Sequence, residues 1–199
     1  MIIVDVETTG MDTRLCSLLS IGAVEFERPE NQLYIECRIF DGAHCDKQAS
    51  EIHGFTDPQM RDLSKKTDRE AVEAFLAWMR GCSEWTIAGQ NVSFDRDFLK
   101  ETAYRYHIDW PLAQRTVDLH SVAYYHYLKT GKSVPLKNNH SALNLDAILD
   151  HVGVKIGRGH HNALEDAKLE AEAFSRFFKG EGLLPEYSHF PVPEGLKVL

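Results

Sequence analysis

No stretch of this 199-residue chain approaches the roughly 18 uninterrupted apolar residues of a membrane-spanning helix. The opening Met1-Ile2-Ile3-Val4-Asp5 is too short and too acidic for a secretion signal. Cysteine is sparse: Cys16, Cys37, Cys45 and Cys82 show neither a CxxC nor tight pairing. They read as reduced thiols of a cytoplasmic protein. Positive charge is also short, with 22 Lys and Arg against 30 Asp and Glu and a formal net charge of −8. That argues against a generally basic nucleic-acid coat. It leaves room for a local basic rim around an acidic metal site, because bound divalent ions reverse the local field. There is no internal repeat and no low-complexity block. An apolar content of 43% with 26% charged residues suits one α/β domain with a sizeable core and a short extension.

The stretch that organises the rest is Ile2-Ile3-Val4-Asp5-Val6-Glu7-Thr8-Thr9-Gly10. Its β-branched residues and the closing Thr-Thr-Gly read as a central strand and the turn leaving it. Alternate residues share a face, so Asp5 and Glu7 lie on one side, about 7 Å apart. Two like charges on one side of a buried strand are costly unless a cation sits between them, and a divalent metal answers that need. The competing reading, an edge strand with both acids in solvent, leaves Ile2, Ile3, Val4 and Val6 without a partner layer.

Leu18 to Phe26 reads as a second strand and Gln32 to Phe40 as its hairpin partner, followed by a polar loop from Asp41 to Ser50. Pro58 opens a helical turn capped by Thr56 or Asp57. Thr67-Asp68-Arg69-Glu70 is a capping box, behind which Ala71, Val72, Phe75, Trp78 and Met79 fall at helical spacing. Short strands at Thr86 to Gln90 and Arg115 to Asp118 alternate with helices over Ser93 to His107 and Leu119 to Lys129. After a basic loop, Thr130 to His140, come helices from Leu143 to His151 and from Ala163 to Phe178. The last shows an apolar stripe of Leu164, Ala167, Ala171, Phe174 and Phe178. The pattern predicts a mixed sheet with helices on both faces.

Two further carboxylates stand out. Asp95 shares a helix face with Phe98 and Leu99, pointing inward, whereas Asp97 points to solvent. A helix N-terminal acid favoured by the macrodipole competes with that reading. Asp166 sits beside the apolar stripe of the last helix, which Asn162 and Glu165 cap. His161 then lies in the preceding loop, able to reach the same space, with His160 as its competitor; a solvent-facing pair or an adventitious zinc site is the alternative for both. Four carboxylates and one histidine fit a two-metal phosphoryl hydrolase. All-oxygen ligands select Mg²⁺ or Mn²⁺, and a neutral histidine can take a proton from water.

These residues fall in three motifs: Asp5-Val6-Glu7-Thr8-Thr9-Gly10 (DxETTG), Asn91-Val92-Ser93-Phe94-Asp95-Arg96-Asp97-Phe98-Leu99 (NxxFDxxFL) and His161-Asn162-Ala163-Leu164-Glu165-Asp166 (HxAxxD). In them the chain resembles the DEDDh 3′–5′ exonucleases, the DnaQ-like branch of the ribonuclease-H-like fold, from Met1 to about Phe178; the third motif picks His161 over His160. The resemblance implies a ribonuclease-H-like mixed five-stranded sheet over residues 1–180, with 181–199 a Pro/Gly-rich tail. It implies that Asp5, Glu7, Asp95 and Asp166 hold two Mg²⁺ ions, with Mn²⁺ substituting, and that His161 is the general base. Thr8 and Thr9 would meet the terminal nucleotide, with His53, Asn91 and Phe94 as neighbours. Asp118 offers a fifth acid, but its place before the next helix reads better as that helix's cap. The substrate implied is the 3′ end of single-stranded DNA or RNA, DNA slightly favoured, and a polymerase or other repair or processing protein is a candidate partner. A non-catalytic nucleic-acid or polymerase-binding module on the same fold is the alternative, and an endonuclease of the wider fold a third reading. Arg96, Lys100, Arg105, Lys129, Lys132, Lys137, Lys155 and Arg158 are candidate phosphate contacts, and Phe55 a candidate for base stacking.

Overall fold

The structure is a computed structural model that describes residues 1–157 and 159–197. Three strands open the chain, β1 (Ile2–Thr8), β2 (Leu18–Glu25) and β3 (Gln32–Arg38). Short helices α1 (Lys47–His53) and α2 (Asp57–Met60) lead to β4 (Lys66–Thr67) and α3 (Asp68–Met79). Then follow β5 (Ile87–Gly89), α4 (Ser93–Arg105), β6 (Thr116–Asp118), α5 (Leu119–Lys129), β7 (Leu136–Lys137), β8 (His140–Ser141), α6 (Leu145–His151) and α7 (Ala163–Lys179). One six-stranded sheet runs β4-β3-β2-β1-β5-β6. β1, β2 and β3 pair antiparallel; β4, β5 and β6 join parallel. The sixth strand beyond the expected five is β4, two residues of the capping-box segment that pair with Cys37 and Arg38.

Alternation along β1 sets the two layers. Ile2, Val4 and Val6 face α3 and α4, packing with Phe75, Met79, Phe98 and Leu99. Ile3 faces the other way, into a core of α5, α6 and α7 with Leu119, Ile148, Ala167 and Phe174. Asp5 and Glu7 are in phase with Ile3, so both belong to the side that α7 covers. α7 can lie close because β2 carries Gly22 opposite Asp5: a Cβ there would come within 2.1 Å of the Ala163 carbonyl carbon.

The loop expected over 41–50 contains the start of α1, which begins at Lys47. The basic loop holds the β7–β8 hairpin, whose Asn138 and Asn139 take left-handed backbone angles. Beyond α7 the chain folds back so that Leu184, Tyr187 and Leu196 are buried in the α7-side core. The buried Arg176 holds this return, donating to Glu172 at 2.7 Å, to the Val152 carbonyl at 2.9 Å and to the Phe190 carbonyl at 2.9 Å. Glu172 accepts the Leu183 and Leu184 N–H groups. Among the described residues no helix is long and apolar enough to cross a membrane.

Candidate active site

β1 and β5 pair only at Ile2 and Ile3, then diverge. The slot opened beyond that point takes the first turn of α4. Asp95 reaches in and accepts the Val6 N–H at 2.9 Å, filling a backbone donor that the shortened ladder leaves open. Asp95 is 4% exposed. From the other side α7, seated over Gly22, delivers Asp166, also 4% exposed. Asn162 fixes where α7 begins, its side chain accepting the Leu164 and Glu165 N–H groups. His161 therefore stands just outside the helix, with Nδ1 3.3 Å from Asp166 Oδ2.

One ligand atom from each of Glu7, His161 and Asp166 lies within 4.8 Å of the other two. Asp5 is crowded by the same group. Burial, then the charges of Asp95, Glu170, Glu7 and Asp166, push its carboxyl well above the ordinary range. Asp95 is raised for the same first reason, burial, against the lowering pull of the Val6 N–H. Such a set of acids repels itself unless protons or cations intervene. Its mostly oxygen donors fit Mg²⁺ or Mn²⁺ and not a closed structural zinc site.

The fifth acid in this neighbourhood, Glu170, was not singled out from sequence. It follows Asp166 by one helical turn and is 1% exposed, against the glycine end of β5. Its signal was available: Glu170 lies four residues from both Asp166 and Phe174, on the face that packs inward.

A cavity of about 270 Å³ adjoins Glu7, lined by Val6, Thr8, Met11, Phe94 and the α1 residues Ile52 and His53. Thr8 turns its hydroxyl to the Gly10 carbonyl. His53 is buried, and its Nδ1 accepts the Phe55 N–H at 2.9 Å. Burial and then the charge of His160 lower its proton affinity. Thr9 and Asn91 do not line this cavity. Thr9 is spent on stitching loops, donating to the His44 carbonyl and accepting the Ser17 N–H. Asn91 is exposed at φ 56°, where it shapes the turn into α4.

Asp97 is half-exposed and paired with Arg96, and Asp118 caps α5 by accepting the Ser121 N–H. Several candidate surface contacts are used internally. Arg96 also donates to the Gln114 carbonyl, while Arg105 pairs with buried Asp68 and stacks over Phe40. Phe55 lies under Lys65 and packs against a small core of Leu19, Ile39 and Met60. Lys129, Lys132, Lys137 and Lys155 remain exposed, and Arg158 lies outside the described residues.

The family model described as RNase_T, Exonuclease, matches residues 2–174. The chain belongs to this exonuclease family. Relatives of the family member include the PolC-type DNA polymerase III of Thermotoga petrophila, 27% identical over 177 residues, which is 88% of this chain and 12% of that protein. Ribonuclease T of Vibrio vulnificus is 30% identical over 111 residues, 49% of this chain and 51% of that protein. Among solved structures, E. coli exonuclease I in complex with a dT13 oligonucleotide matches with a TM-score of 0.69 at 20% identity, over 88% of this chain and 40% of that one. The chain spans well under two thirds of the length of each. The fold is thus ribonuclease-H-like, in agreement with the DEDDh resemblance of the three motifs, and divalent-metal dependence is general in the family.

Proposed function

We propose that this chain is a 3′–5′ exonuclease that shortens single-stranded nucleic acid from its 3′ end and releases nucleoside 5′-monophosphates, DNA being slightly preferred to RNA. The observation that carries the reading is the meeting of Glu7, His161 and Asp166, from opposite ends of the chain, beside a cavity of about 270 Å³. Asp5, Glu7, Asp95 and Asp166 would hold two Mg²⁺ ions, with Mn²⁺ as a substitute. The chemistry such ions supply is charge stabilisation of the attacking and leaving oxygens in an in-line displacement.

The chain's own residues divide the remaining work. Thr8, Phe94 and His53 wall the cavity that receives the terminal nucleotide. Asp166 orients His161 through Nδ1, 3.3 Å away, and leaves the other ring nitrogen to accept a proton from the attacking water. α7 covers this side of β1, and the burial of Asp95 and Asp166 keeps them from bulk water, which strengthens the charge interactions there. The catalytic unit spans residues 1–180. Similarity to a PolC-type polymerase supports a polymerase or related processing protein as partner in the cytoplasm.

Digestion of matched 5′-labelled DNA and RNA oligomers with Mg²⁺ tests the proposal. Stepwise shortening from the 3′ end is expected, abolished by EDTA and slowed at least about 10²-fold by His161→Ala. Cutting of a circular single strand, which has no end, would refute it, and an unchanged rate in His161→Ala would remove the histidine from the mechanism.

A further inference from the structure

The loop that carries His161 runs from the end of α6 to the start of α7. From Lys155 to His160 it makes no backbone hydrogen bond among the described residues. Gly157 and Gly159 face open space, with nothing within 4 Å of where a Cβ would stand. At its far end the loop is held by α1. The His161 N–H donates to the Ile52 carbonyl at 3.1 Å. One residue earlier, the His160 ring lies over Gly54, which closes α1 in the left-handed conformation at φ 70°. A Cβ on Gly54 would come within 2.5 Å of His160 Cγ, so the bare glycine is the seat for that ring. α1 is also the outer wall of the cavity beside Glu7, through Ile52 and His53.

We infer that His160 is a positioning residue: seated on Gly54, it ties the His161 loop to the helix that walls the cavity, so that a nucleotide bearing on α1 sets the placement of His161. This rests on the proposed role of His161. The seat is a matter of shape, because Gly54 offers the ring only backbone. A flat ring without ionisable nitrogens therefore does the same work. The His161 amide, hydrogen-bonded to the Ile52 carbonyl, reports directly whether the loop is docked.

The test compares His160→Ala, His160→Phe, His161→Ala and the double variant, with Mg²⁺ and labelled oligonucleotide. In His160→Ala we expect kcat to fall about tenfold, with KM within about twofold, in keeping with the cost of slight misplacement of a catalytic group. His160→Phe restores most of the rate. The double variant is no slower than His161→Ala alone, because His160 acts through His161. In hydrogen exchange, the His161 amide exchanges about tenfold faster in His160→Ala, and thymidine 5′-monophosphate slows it in the wild type but not in that variant. Wild-type kcat in His160→Ala, His160→Phe as slow as His160→Ala, or losses that add in the double variant would each overturn the inference. An inactive His161→Ala beside an unaffected His160→Ala fails the inference alone, whereas full activity in His161→Ala fails the general-base reading, whatever the exchange data show.

Discussion

Gly22→Ala tests whether the two halves of the site depend on one contact that contains no acid. The added Cβ would sit 2.1 Å from the Ala163 carbonyl carbon, 2.2 Å from the Leu164 nitrogen and 2.3 Å from the Ala163 oxygen. All three are backbone atoms, so no side chain can rotate out of the way. Restoring an ordinary contact of 3.4 Å requires the start of α7 to move from β2 by about 1.3 Å. His161 and Asp166 ride on that turn, while Asp5, paired with Gly22, and Glu7 stay with β1. A displacement of about 1 Å in a catalytic constellation costs on the order of 10²-fold in rate. Overpacking itself costs about 1–3 kcal/mol, lowering the midpoint of thermal unfolding by roughly 2–12 °C for a chain of this size. The assay is kcat and KM for 3′-end digestion well below the new midpoint, with Gly195→Ala, whose Cβ meets nothing within 4 Å, as the control. A folded Gly22→Ala enzyme with wild-type kcat would refute the claim that α7 is placed by this glycine.

Saturating Mn²⁺ should raise the unfolding midpoint by mass action, about 2.7 kcal/mol at a hundredfold excess over Kd, or roughly 5–11 °C. Asp95→Asn should abolish that shift and Asp97→Asn leave it intact, read by scanning calorimetry; equal shifts would put both acids outside the metal site. Arg176→Met leaves Glu172 as an uncompensated buried charge and should cost about 3–5 kcal/mol. The total loss in the double variant Arg176→Met, Glu172→Gln should fall short of the sum of the single losses, measured by urea unfolding. Glu25 governs an acid-limb prediction. Burial raises its proton affinity, but the Ser83 N–H, the Asn31 amide, Arg28 and the Ser83 hydroxyl outweigh burial and bring its pKa to about 2 from the ordinary 4.5. Because the folded value is depressed, its stabilisation is complete above pH 4.5 and lost as pH falls from there towards 2. Glu25→Gln should flatten that part of the stability profile, and an unchanged slope would show the contacts contribute nothing.

The parts of the fold legible in the sequence are those whose signal is local. β1 announces itself by β-branched residues, α3 by its capping box and α7 by the Asn162 cap, and each stands where the pattern put it. α1 escaped because seven residues with only Ala49 and Ile52 apolar, and an Asp46 that makes no side-chain cap bond, carry too weak a period. The apolar stripe of α7 misled for the opposite reason. Phe178, on that stripe, is 46% exposed. Glu170 is buried against β5, and Glu172 and Arg176 are buried because the chain beyond Gly180 returns to cover a face that reads as polar. Charge on a helix reads as solvated unless something distant covers it, and the cover cannot be seen from the helix.

The same distinction separates what the acids are from where they stand. The motifs name Asp5, Glu7, Asp95 and Asp166, but none of them sets the distances between them. Asp95 is placed by the Val6 N–H that the diverging β5 leaves open. Asp166 is placed by the bare Gly22 under the first turn of α7, and His161 by the Ile52 carbonyl. Each contact joins segments far apart in the chain, and in each the group that does the placing is backbone, which performs no chemistry. Substitutions at Gly22 or His160 should therefore lower kcat while every motif acid remains. By the same reasoning, a chain that keeps all four carboxylates but fills the Gly22 seat should bind ions poorly, since crowded carboxylates hold a cation only when their spacing matches it.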